Sequence, residues 1–140
     1  MHVPVHERQQ RKLGIGCGAH RPGLVRDLQQ QGLGGLRIAV QADALAAQLG
    51  VRAAAAHADF ADCDVVALCV SMDADVLQQA AALAAVLRPG SVVVDHSTVS
   101  VATARKAQAL LAANGIGFLD APVSGGVEGA RNGKLSVMVG

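Results

Sequence analysis

The stretch VVVDHSTVSVATARK (92–106) passes from three β-branched residues into an Ala-rich segment within a few positions. Consecutive apolar residues ending in Asp95 read as a strand buried on both faces, the habit of a parallel sheet covered by helices. His96-Ser97-Thr98 follow at its carboxyl end, and Ser100 can N-cap the helix that comes next. The same alternation recurs outward in both directions. Strands are read at LRIAV (36–40), VVALCV (65–70), SVVVD (91–95) and GIGFL (115–119), and helical segments at 22–31, 43–49, 73–87 and 101–113. Asp73 and Asp75 favour the start of the third helix through its dipole, and Arg88-Pro89-Gly90 stops it. Asn114-Gly115 supplies a left-handed residue to end the fourth. Such alternation indicates βαβ units with right-handed crossovers. The expected fold is α/β: a doubly wound, mainly parallel, Rossmann-like sheet with helices on both faces.

Composition sets the limits on this reading. The chain has 140 residues, 12 Lys+Arg against 11 Asp+Glu, 51% apolar and 16% charged residues. That balance excludes a disordered chain and gives no general pull toward nucleic acid or anionic membrane. The longest apolar run, from Ala80 to Leu87, is far short of the roughly 20 residues of a membrane span. MHVPVHERQQRK (1–12) leads into no apolar region, so no signal peptide is read. Cys17, Cys63 and Cys69 lack metal-ligand spacing and suit the reducing cytoplasm. Tyr and Trp are absent, which removes base-stacking platforms and tyrosine acid/base chemistry.

Residues 1–11 are polar and expected to be disordered, leaving one domain over 12–140. Asn132-Gly133 reads as a tight turn into a last strand, LSVMV (135–139). A chain stopping at Gly140, at a strand end, suggests a C-terminally incomplete domain, a fragment.

Three blocks carry chemistry. The first is LGIGCGAHRPG (13–23), a glycine-rich segment before a helical one. A dinucleotide site needs a strand, a tight glycine turn and a helix N-terminus for the pyrophosphate. Gly14-x-Gly16-x-x-Ala19 fits that pattern; Gly16-x-Gly18-x-x-Arg21 fits the helix length better and makes Gly16 and Gly18 the functional pair. An ordinary glycine turn explains the segment equally well. Asp43 can accept from a ribose hydroxyl, although a helix-start aspartate needs no ligand. No arginine marks a 2′-phosphate site, so NAD and NADP both stay open.

The second block is Asp95-His96-Ser97-Thr98, at the sheet edge where ligands bind in open α/β folds. Its hydroxyls either meet a ligand or cap the next helix. His96 is a proton carrier in principle, and a lone loop histidine is more often solvated surface. The third is FLDAPVSGGVEGARNGKLSVMVG (118–140), where Ser124-Gly125-Gly126 offers a hydroxyl and two unhindered amides suited to a carboxylate or phosphate. A glycine-lined turn is the plain alternative.

Together, DHSTVS, GIGFLDAPVSGG and GARNGKLSVMVG closely resemble the β-hydroxyacid dehydrogenase family, the group of 3-hydroxyisobutyrate dehydrogenase, tartronate semialdehyde reductase and, more distantly, 6-phosphogluconate dehydrogenase. The resemblance runs from about Leu13 to Gly140 and corresponds to an N-terminal NAD(P)-binding domain. It implies that Ser124, Gly125 and Gly126 grip a substrate carboxylate and that Thr98 lies beside the nicotinamide half of NAD or NADP. It further implies backbone contacts to the cofactor from Val70 and Ser71, and that Gly16 and Gly18 are the first two fingerprint glycines. The implied reaction is reversible oxidation of a small 3-hydroxy acid to its semialdehyde, in full-length relatives expected to be homo-oligomers.

The sequence also departs from the family. His20 and Arg21 replace the fingerprint Met and third Gly, Val101 stands in place of a usual proline, and Cys69-Val70-Ser71 replaces a Met-Leu-Pro turn. Residues 40–50 form a shortened second βα unit. The family's catalytic lysine lies on a helix beyond the cofactor domain, and neither Lys106 nor Lys134 matches it, so no catalytic residue is assigned and the chain alone is expected to be inactive. The competing expectation is a non-catalytic dinucleotide- or acid-binding module, or a decayed fragment. A flavodoxin-like signalling domain explains the alternation of elements but not DAPVSGG.

Overall fold

A computed structural model describes residues 15–18, 24–26, 43–44, 46–48 and 50–140. The segment expected to be disordered at 1–11 and the strand expected at 36–40 lie outside these residues. Eight strands are described: β1 (Ile15–Gly18), β2 (Leu24–Arg26), β3 (Arg52–Ala53), β4 (Val65–Leu68), β5 (Val92–Asp95), β6 (Gly117–Asp120), β7 (Val123–Ser124) and β8 (Ser136–Val137). The main helices are α1 (Asp73–Ala84) and α2 (Val101–Ala112), with a six-residue α3 (Gly126–Arg131) and a 3-10 turn at His57–Phe60. Six strands form one sheet in the order β3-β2-β1-β4-β5-β6, while β7 and β8 pair separately.

The half of the sheet that follows Val65 is built as the alternation predicts. β4, β5 and β6 are parallel and in register, so Leu68, Asp95 and Asp120 end in one row. α1 connects β4 to β5 and α2 connects β5 to β6. Both connections step the same way across the sheet, and the two helices pack on each other. They cover the face carrying Val66, Leu68 and Val93, which are all fully buried, together with Phe60, Val76, Leu83 and Leu111. On the opposite face Val65 and Leu119 keep 36% and 39% of their surface exposed. Apolar runs had suggested cover on both sides; among the described residues these two helices protect one.

Capping explains where the helices begin. The Ser100 hydroxyl accepts from the Thr103 amide (3.2 Å). The Asp73 carboxylate, at the start of α1, accepts from the Thr103 hydroxyl (2.7 Å) and from the Ser100 hydroxyl (2.8 Å) and amide (3.2 Å). One carboxylate therefore ties the starts of both helices together, and these donors hold its pKa below the ordinary value. Gly115, at φ +71°, is the left-handed residue anticipated after α2.

The N-terminal half corrects two expectations. Residues 24–26 are strand rather than part of a helix over 22–31, and β1 runs antiparallel to both β2 and β4. Leu24 and Val25 suit a strand, and pairing with β1 and β3 gives their backbone partners that a helix would otherwise supply. Cys63 is disulfide-bonded, so the expectation of reduced thiols does not hold for it.

Candidate active site at the carboxyl edge of the parallel strands

In-register strand ends bring three loops to one edge: 69–72 after β4, 96–100 after β5 and 121–125 after β6. The second loop is bonded to both others. Ser97 is buried, and its hydroxyl accepts from the Val70 amide at 2.8 Å. His96 donates its amide to the Leu68 carbonyl at 2.7 Å, and its ring Nδ1 meets the Ala121 carbonyl at 2.8 Å. A carbonyl only accepts, so Nδ1 carries the proton and Nε2 is the acceptor of the neutral ring.

Asp95 anchors this edge from below. It is fully buried; Oδ1 accepts from the Ser97 amide at 2.9 Å, and Oδ2 is buried with no hydrogen-bond partner. Burial pushes the carboxyl above its ordinary value near 3.8, the Ser97 hydroxyl and amide oppose that, Asp120 adds to it by like charge and His96 counters it. The folded protein thus holds the Asp95 proton to higher pH than the unfolded chain does. Its effect on stability is most favourable below the ordinary value and is lost as pH rises through the raised one. Asp95→Asn carries no such proton. The melting temperature of the variant minus that of the wild type should therefore increase from about pH 4 to about pH 7. Calorimetry across that range checks it, and a constant difference would count against the assignment.

The anticipated residues divide into three groups. Val70, Ser71 and Thr98 come together at the edge of β4 and β5, with Ser71 and Thr98 exposed and Val70 buried. Because the Val70 amide is given to Ser97, a new backbone contact from this loop falls to Ser71. Ser124, Gly125 and Gly126 are exposed and follow Ala121 at the neighbouring strand end. Ser124 lies in β7 opposite Ser136, while Gly125 and Gly126 take φ of +126° and +56°. Gly16 and Gly18 stand apart. They lie in β1, opposite Ala67 and Val65. Since β1 is antiparallel to β4, Gly18 sits at the opposite end of the ladder from Leu68. Gly14, Ala19, His20 and Arg21 lie outside the described residues. Asp43 is helical and exposed.

From sequence Ser97 and Thr98 alike are hydroxyls that meet a ligand or cap the next helix, with only Thr98 placed beside the cofactor by the resemblance, whereas the structure makes Ser97 the joint between two loops. The signal available was its place two residues after Asp95, which suits a side chain that bonds back to the backbone. Among the described residues no group of three or more His, Cys, Asp or Glu could hold a metal ion. No described helix is long and apolar enough to cross a membrane.

Residues 23–140 match the model of the NAD binding domain of 6-phosphogluconate dehydrogenase. The chain belongs to that family. An uncharacterized oxidoreductase of Mycobacterium tuberculosis is 40% identical over 106 residues, covering 74% of this chain and 36% of that protein. The 3-hydroxyisobutyrate dehydrogenase of Pseudomonas aeruginosa is 57% identical over 47 residues, 34% of this chain and 16% of that one. Among solved structures, Mycobacterium tuberculosis 3-hydroxyisobutyrate dehydrogenase with L-serine superposes with a TM-score of 0.68 at 38% identity, over 73% of this chain and 35% of that one. The NAD-binding domain described here thus spans about a third of the length of the relatives it matches at greatest extent. It shares their parallel sheet with helices, the Rossmann-like arrangement anticipated from sequence.

Proposed function

We propose that this domain is the NAD(P)-binding part of an oxidoreductase that interconverts a small 3-hydroxy acid and its semialdehyde by hydride transfer. The observation that carries the proposal is the joining of the 69–72, 96–100 and 121–125 loops at one sheet edge through Ser97 and His96. The exposed Ser71 and Thr98 at that edge fit the polar contacts of a dinucleotide, and Ser124, Gly125 and Gly126 would take the substrate carboxylate. A bound nicotinamide supplies the hydride chemistry. The chain's own residues bind and orient; no lysine of this sequence matches the family's catalytic lysine, and we assign the isolated chain no turnover. Gly16 and Gly18, which lie in β1, remain in the proposed cofactor set on the family resemblance alone. The intracellular pool of nicotinamide cofactors favours a cytoplasmic setting, and the Cys63 disulfide is the one observation that runs against a reducing compartment. Homo-oligomers are proposed for full-length forms.

Titration of the chain with NADH and with NADPH, followed by cofactor fluorescence, tests the proposal. Saturable binding on the order of micromolar is expected for at least one of them. Absence of saturable binding by either would overturn it. The position of Gly16 and Gly18 favours a second reading, an acid-binding module without a dinucleotide grip. That reading requires 3-hydroxyisobutyrate to bind with neither cofactor binding.

A further inference from the structure

We infer that Asp95-His96-Ser97 is a positioning hub through which the cofactor edge and the substrate loop sense each other. The inference rests on the functional reading above only for the identity of the two ligands. Three consecutive residues make bonds in opposite directions. Toward β4, Ser97 accepts from the Val70 amide (2.8 Å) and His96 donates to the Leu68 carbonyl (2.7 Å). Toward β6, the His96 ring donates to the Ala121 carbonyl (2.8 Å) and the Asp95 carbonyl accepts from the Ala121 amide (2.8 Å).

The side chains decide the strength of this arrangement. Strand pairing ends at Leu68, Asp95 and Asp120, and a single backbone bond on each side, from the His96 and Ala121 amides, reaches beyond that row. Ser97 and His96 extend the order by one more layer through side-chain bonds. Ser97 is buried, and its own amide is fixed by the buried Asp95 carboxylate (2.9 Å), so it cannot swing without leaving polar groups unsatisfied. The Ala121 carbonyl held by His96 stands three residues before Ser124, and Thr98 directly follows Ser97. Ordering of either ligand loop is thereby transmitted to the other through the histidine ring. A ligand that orders one loop lowers the cost of ordering the second, which is positive coupling between the two sites. His96 acts here as a positioning residue and touches neither ligand.

Two measurements on the full chain test the hub. In the first, the Kd of 3-hydroxyisobutyrate is measured with and without saturating NADH for the wild type, His96→Ala and His96→Asn. The wild type is expected to bind the acid about five-fold or more tightly with NADH present. His96→Ala should bring that ratio to about one, and His96→Asn, whose amide can still donate to Ala121, should restore it. An undiminished ratio in His96→Ala would overturn the hub. The second measurement needs no ligand: hydrogen exchange at the Ala121 and Val70 amides. His96→Ala should speed exchange at Ala121, and Ser97→Ala at Val70, by about ten-fold, with the Val66 amide in β4 unchanged. Unchanged exchange at both sites would also overturn it. If the wild type binds no NADH, the functional reading fails and the exchange result alone decides the hub.

Discussion

Phe60→Ala is expected to lower stability by about 3–5 kcal/mol, the range for deleting a buried phenyl ring. Phe60 closes the His57–Phe60 turn and is completely buried among Val66, Val76, Leu83 and Val93. The chain holds only two phenylalanines and no Tyr or Trp; Phe118 packs half-buried against this core, and its other members are small or mid-sized. Short branched side chains fixed on strands and helices cannot reach far enough to refill a ring-sized void, and the cavity would persist. Against a total stability of about 5–15 kcal/mol the loss is large, and a drop in melting temperature of about 10 °C follows for a domain of this size. Thermal unfolding followed by circular dichroism checks it. Leu110→Ala, at an exposed position on α2, is the control and should change little. A Phe60→Ala loss below about 1 kcal/mol would contradict the packing described here.

The second large effect is local and falls on function. Gly125→Val should weaken binding of 3-hydroxyisobutyrate by about ten-fold or more while leaving the unfolding midpoint of the β4–β6 core nearly unchanged. Gly125 has φ +126°, a conformation that side-chain-bearing residues rarely adopt, and a Cβ there would lie 3.2 Å from Leu135 Cδ2. Valine adds backbone strain of about 1–3 kcal/mol and crowds the Leu135 side chain, which leads into β8. The cheapest relief is for the Ser124–Gly126 turn to move, because Ser124, Gly125 and Gly126 are exposed and no core residue depends on them. Isothermal titration of the acid in the presence of NADH, paired with a melting curve, separates loss of the loop from loss of the fold. Equal affinity in the variant would remove Gly125 from the proposed carboxylate site.

What could be read from sequence follows a physical boundary. β4, β5, β6, α1 and α2 were legible because each carries its own signal. Val92–Asp95 is a short apolar run, Ser100 caps α2, and Asn114-Gly115 ends it. β3, the turn at His57–Phe60 and the short α3 carried no comparable signal, since two- to six-residue elements are fixed by tertiary partners rather than by periodicity. Gly16 and Gly18 satisfy a spacing that binds phosphate only when a helix begins directly after it, and residues 19–23 lie outside the described residues. At the candidate site the residue types were legible and the partners were not. Nothing local tells that Ser97 will meet the Val70 amide, or that the His96 ring will meet the Ala121 carbonyl.

Those two contacts have a kinetic consequence. They join residues 27 and 25 positions apart, so each closes within a single strand–helix–strand unit. The bond between Ser100 and Asp73 spans the same 27 positions. Loop-closure entropy is therefore nearly the same for the site as for the scaffold beneath it, and no ring larger than one crossover has to close before the edge forms. The β4-α1-β5-α2-β6 segment can mature as one cooperative unit with the hub already inside it. The Ser97 and His96 joints then form with the β4–β6 segment itself, while Ser124 waits on the more distant pairing of β7 with β8.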